Sequence, residues 1–180
     1  MKNNWIEKLK EQNACRDGID WASRQESPQA AWDACERGDW MLWAWAQNCG
    51  GKIGSESHRR LVLCAVECAK TSVKYIKEDK EVKRLVKKSL DTTERWAKGE
   101  EGVILDDVKN AANAAAGAAW AAWAAGYAAN AAGYAADAAA AADAAAAAAW
   151  AADAGAAARE KALKECADIV RKIQPDCPEW

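Results

Sequence analysis

Along the first 109 positions the apolar residues recur at helical spacings of three and four. Nowhere in that stretch do they alternate as a half-buried strand requires. Trp5, Ile6 and Leu9 predict a short helix over Asn4–Asn13, and Ile19 with Trp21 a second over Cys15–Arg24. Ser27-Pro28 has the form of a helix start: a side chain able to cap, then a proline whose missing N–H is no loss in the first turn. Gly38-Asp39 stops that helix and recaps the next, "WMLWAWAQN". Gly50, Gly51 and Gly54 make a break, after which Ser55 or Ser57 caps "HRRLVLCAVECAKTSVKYI". There Leu61, Cys64, Ala65, Cys68, Ala69, Ser72, Tyr75 and Ile76 share one face, so the helix is expected to run to Ile76 with that face in the core. Val82, Leu85, Val86, Leu90, Thr93 and Trp96 repeat the device, and Gly99 ends it.

From Asp106 or Asp107 to Ile173 alanine dominates. Alanine has the best helix propensity, and methyl-lined faces let helix axes approach to about 8 Å. A single helix over 105–173 would reach roughly 100 Å, whereas a compact domain of this length is about 40 Å across. The region is therefore expected to fold back on itself. Trp120, Trp123, Tyr127, Asn130, Tyr134 and Asp137 keep one helical register, and Asp143 with Trp150 falls out of phase. That places a bend between Ala135 and Asp143, with Gly126 and Gly133 as the next candidates. The stripe is expected to be a packing seam that becomes wetter toward Tyr134 and Asp137, where a site on it would lie. Pro175 and Pro178 end regular structure. The expected architecture is one all-α domain over 1–180, a multi-helix bundle. In it the tryptophan-rich shorter helices of 1–104 carry a long alanine-rich helical hairpin over 105–173, followed by an irregular tail at 174–180.

Composition narrows the function classes. A formal charge of −2 is too near zero to select nucleic acid or a membrane surface as partner. Residues 110–158 hold 34 alanines in 49 positions, but Asn110, Asn113, Asn130, Asp137, Asp143 and Asp153 interrupt them, which argues against a membrane span. "MKNNWIEKLKEQN" is charged where a signal peptide would be apolar, and the cysteine count, seven, is odd. Both point to a cytoplasmic protein with reduced thiols. Phenylalanine is absent while tryptophan occurs eleven times, so tryptophan supplies most of the large buried area.

Candidate chemistry is sparse. His58 is the only histidine, and its offset of six from Cys64 turns it off the face that Cys64 and Cys68 share, so a metal site is not expected. "CGGKIGS" lacks the spacing of a phosphate-cradling loop, and no serine or cysteine sits in a nucleophile motif. Glu100-Glu101 and Asp106-Asp107 sit where helix termini ordinarily carry acid. Arg37-Gly38-Asp39 is taken as a helix stop and cap, not an adhesion tripeptide. No cofactor and no catalysis are expected. Charge is segregated, however. Residues 70–88 hold eight basic against three acidic residues, and residues 91–107 six acidic against two basic. This is either a solvated surface or a two-signed docking face.

The succession "SPQAAWDACERGDWMLWAWAQ", "RRLVLCAVECAKTSVKYI", "LDTTERWAKGE" and the alanine/aromatic array closing with "ECADIVRKIQP" resembles the immunity proteins of bacterial polymorphic toxin systems, relatives of which occur in phage genomes. The likeness covers roughly residues 27–175. It implies an all-α, non-enzymatic protein that binds and neutralises a cognate toxin or effector. On that reading Trp40, Trp43 and Trp45 are candidate interface anchors, with Trp40 and Trp43 on one face and Trp45 on another. The alternative is sequestration of a small nucleotide-like signalling molecule. It would use ring stacking, with His58, Arg59 and Arg60 at a helix N-terminus that favours phosphate.

Overall fold

The computed structural model describes residues 4–48, 53–71, 73–75, 80–119 and 156–179, and it is an all-α multi-helix bundle. Among the described residues there are eight α-helices and one short 3-10 turn. They are α1 (Asn4–Glu11), α2 (Arg16–Ala22), α3 (Pro28–Ala34), α4 (Gly38–Asn48), α5 (Glu56–Lys70), the 3-10 turn Val73–Tyr75, α6 (Lys80–Ala97), α7 (Leu105–Ala119) and α8 (Ala156–Ile173). The stripe from Trp120 to Asp137, the bend expected between Ala135 and Asp143, and the alternatives Gly126 and Gly133 lie outside the described residues.

Local chemistry sets most helix ends. Helix α1 closes with Asn13 in the left-handed region (φ 61°), Ala14 N–H donating to Leu9 O and Asn13 N–H to Lys10 O, which satisfies its last carbonyls. Gly99 (φ 76°) closes α6 in the same way, through Glu100 N–H to Arg95 O and Gly99 N–H to Trp96 O. The Ser27 hydroxyl accepts the Ala30 N–H at 3.1 Å with Pro28 in the first turn of α3. Ser55, not Ser57, caps α5 by accepting the His58 N–H. Asp107 opens α7 by reaching back to accept the Ile104 N–H at 2.9 Å, one half of a capping box. Helix α5 is shorter than its apolar pattern predicts, ending at Lys70. The Thr71 hydroxyl and N–H both bond the Cys68 carbonyl, and this local competition tightens the last turn before the 3-10 segment.

Helix α5 is the centre of the bundle, with Leu61, Val62, Cys64, Ala65, Val66, Cys68 and Ala69 fully enclosed. It packs on α6 on one side and on α4 and α8 on the other, while α6 carries α7 on its outer side through Val108 and Ala112. Small side chains make the α4–α8 contact close. At Gly38, the first residue of α4, a β-carbon would stand 2.5 Å from Cys166 Cβ and 2.7 Å from the Ala167 nitrogen, so nothing larger than hydrogen fits. Residues 174–179, irregular as expected, lie against α3. Trp32 Nε1 donates to the Gln174 carbonyl at 2.9 Å, and Gln29 accepts the Cys177 N–H at 2.8 Å.

Candidate functional site: a tryptophan-lined cleft

Helices α1 and α2 pack on each other, and the space between them, α3 and α4 is not filled. It forms an open cleft of about 440 Å³ walled by Trp5, Trp21, Trp40 and Trp43 with Trp32 at its base. Trp21 and Trp40 meet at 6.1 Å between ring centroids, tilted by 54°. Trp5, Trp21, Trp40 and Trp43 are half-buried, whereas Trp32 is enclosed.

One edge of the cleft is polar. Arg37 Nε donates to Asp39 Oδ1 at 2.9 Å and Arg37 Nη2 to Asp39 Oδ2 at 2.6 Å, a two-pronged pair in which the planar guanidinium matches the carboxylate. The same guanidinium lies 4.4 Å from the Trp40 ring centroid. The hydrogen bond with Asp39 raises the Arg37 pKa further, so the group is a permanent cation. Beneath it, the Cys35 thiol donates to the Arg37 carbonyl, and burial pushes its pKa up to about 11. Arg171 of α8 fixes the α3–α4 corner from behind by donating to the Trp32 and Cys35 carbonyls and to Asp168.

The sequence-predicted residues go to three different places. Trp40 and Trp43 line the cleft, on one face as the register requires. Trp45 is only 3 % exposed and belongs to the core with Met41 and Leu42, so it is not a surface anchor. Tyr134 and Asp137 lie outside the described residues. His58, Arg59 and Arg60 do not converge on the N-terminus of α5. His58 is 7 % exposed, stacks edge-on to Trp96 at 5.7 Å, and its Nδ1 accepts the Gly54 N–H. Arg59 donates to the Gly54 carbonyl and lies over the Trp96 ring at 5.5 Å. Arg60 donates to the Ile173 carbonyl at the C-terminus of α8, where a cation complements the helix dipole. The end of α5 is thus closed by its own side chains, and the phosphate-binding trio expected from the sequence is not assembled.

Among the described residues one ion pair, Lys70–Glu94, joins the basic block to the acidic one, and the other pairs form within a block or with residues outside both. Lys70 of the basic block bridges Glu67 and Glu94, and Lys98 also pairs with Glu94. The hydrogen bonds from Lys70 and Lys98 hold the Glu94 carboxyl below the usual range. Arg84 pairs with Glu81, Arg95 with Glu100 and Lys74 with Glu165. Among the described residues no three His, Cys, Asp or Glu side chains are grouped to hold a metal. No helix among them is long and apolar enough to cross a membrane.

Sequence reasoning missed Arg37 and Asp39 as a working pair, because each was explained as the end or start of a helix. The available signal was the spacing of Arg37 three residues before Trp40, which puts a guanidinium over a ring on the same helical edge. Comparison with known proteins finds no matching family model, no similar curated protein and no similar solved structure.

Proposed function

We propose that this chain is a non-enzymatic binding protein of the immunity type, which neutralises a toxin or effector protein by holding it at the tryptophan-lined cleft. One observation carries the reading: two half-buried tryptophans, Trp40 and Trp43, stand at an open aromatic cleft beside a fixed arginine. Tryptophan and arginine in partly desolvated pockets are the residues that most often dominate interface energetics. Support also comes from the thiols. Cys35, the cysteine buried at the cleft, is pushed away from the thiolate form that a nucleophile needs at neutral pH.

The test is co-expression with the product of the adjacent gene. Co-purification of the two proteins together with restored growth is the expected result. Absence of both a complex and a growth rescue overturns the reading.

A further inference from the structure

We infer that the cleft receives one aromatic side chain of the partner protein, with a carboxylate of the neighbouring residue in that partner set on Arg37. This rests on the binding reading above and adds the chemistry of what is bound.

Shape and lining point to a ring. A volume of about 440 Å³ falls at the lower end of the range of small-ligand sites. Trp5, Trp21, Trp40 and Trp43 stand on three separate helices, so a planar group entering between them is offered ring faces and edges from several directions. An aliphatic chain would fill the volume without using those faces.

The polar edge points to a carboxylate. Within the Arg37–Asp39 pair the cation is the outward member: its side chain is 42 % exposed and that of Asp39 only 15 %. Asp39 occupies Nε and Nη2, and Nη1 has no hydrogen-bond partner among the described residues. The two bonds to Asp39 fix the guanidinium plane and its central carbon lies 4.4 Å from the Trp40 ring centroid, so its remaining N–H donors have a fixed direction before anything binds. A preset fork at the rim of an apolar cleft matches a planar anion that follows directly after a ring. A cationic ligand would meet the positive charge of Arg37 beside Trp40 and would find Asp39 already paired.

The probes are the capped dipeptides acetyl-Trp-Glu-amide, acetyl-Trp-Gln-amide and acetyl-Trp-Lys-amide, titrated into the full-length protein at low salt. The indole N–H signals of Trp40 and Trp43 are followed by NMR. The glutamate dipeptide is expected to shift both signals saturably and to bind about tenfold to a hundredfold tighter than the glutamine one, the range of one hydrogen bond to a charged group. The lysine dipeptide should be weakest. In Arg37→Gln the glutamate preference should fall to about one while ring binding persists, and Arg37→Lys should recover only part of it. Unchanged Trp40 and Trp43 signals, or equal affinity for glutamate and glutamine, overturns the proposal. So does a preference that survives Arg37→Gln.

Failure here is separable from failure of the binding reading. A co-expressed complex that is indifferent to Trp43→Ala and Arg37→Gln sinks the cleft and leaves the immunity reading standing. Dipeptide binding without any complex does the opposite.

Discussion

The two sides of α4 bury tryptophan in opposite ways. On one side Trp45 sits with Met41 and Leu42 against α5 and α8, in a seam of Cys64, Cys68, Cys166 and Ala167 that is sealed from water. On the other side Trp40 and Trp43 face α1 and α2 across a cleft that those two short helices leave open. The difference lies in the opposing helices. Helices α5 and α8 bring small side chains on long helices, so backbones close up and a large ring is enclosed. Helices α1 and α2 are about two turns each and bring rings of their own, which prop the walls apart. The same residue type is packing material in one place and presented surface in the other.

The largest expected effect separates these two uses. Trp45→Ala should cost about 3–5 kcal/mol in urea unfolding, the range for emptying a core tryptophan site. Trp43→Ala should cost less than half as much and should instead abolish the dipeptide response. Equal costs at the two positions would mean that the cleft is part of the core.

The next test concerns glycine. Gly38→Ala forces a methyl into the Cys166–Ala167 backbone and should cost about 3 kcal/mol, because neither helix can yield without losing its neighbours. Gly18→Ala, in α2, meets only the Cys15 sulfur at 3.2 Å and the Trp40 ring at 3.8 Å. The clash is with the end of a side chain that can turn, and alanine gains about 1 kcal/mol of helix propensity over glycine. The two effects oppose each other at this position on the cleft wall, so a change within about 1 kcal/mol of zero is expected there. Guanidinium unfolding midpoints with unchanged slopes would check both.

What could be read from the sequence follows the range of the interaction. Ser27-Pro28 and Gly99 announced their helix ends because capping is settled within a few residues. The apolar face of α6 was equally plain, with Val82, Val86, Leu90, Thr93 and Trp96 all buried. Trp45 could be placed on a different face from Trp40 and Trp43. Which face was the core depended on Cys166 and Val170, more than a hundred residues away, and no local pattern carries that. His58 was assigned to a helix N-terminus, where it does stand, but its imidazole is claimed by Trp96 from another helix. Thr71 misled in the other direction: a side-chain bond to its own helix ended α5 where the apolar spacing continued. The charge blocks were visible as blocks, whereas the bridge from Lys70 to Glu94 that ties them together needed α5 and α6 in place.

The smallest effect examines the boundary between the two regions, where Cys35 lies under the cleft and within the enclosed core. Burial pushes its thiol from an ordinary value of 9.0 to about 11. The folded state therefore holds this proton more tightly than the unfolded chain. The associated stability is fully present below pH 9 and is lost as pH rises from 9 toward 11. At pH 10 the expected loss is roughly 1.4 kcal/mol, one pKa unit of differential protonation. Lysines such as Lys70 and Lys98, raised by their glutamate partners once burial of Lys70 is offset, titrate alike in wild type and variant and cancel in the comparison. Urea unfolding of the wild type and Cys35→Ala at pH 8, 9 and 10 isolates the thiol, because only the wild type should show the extra loss between 9 and 10. A thiol reagent at pH 8 gives the same contrast chemically: exposed Cys15 should react at once, and Cys35 only after unfolding. If Cys35→Ala loses stability with pH as steeply as the wild type, water already reaches this thiol. The cleft would then extend through its floor, and the sealed side of α4 would begin later, at Leu42.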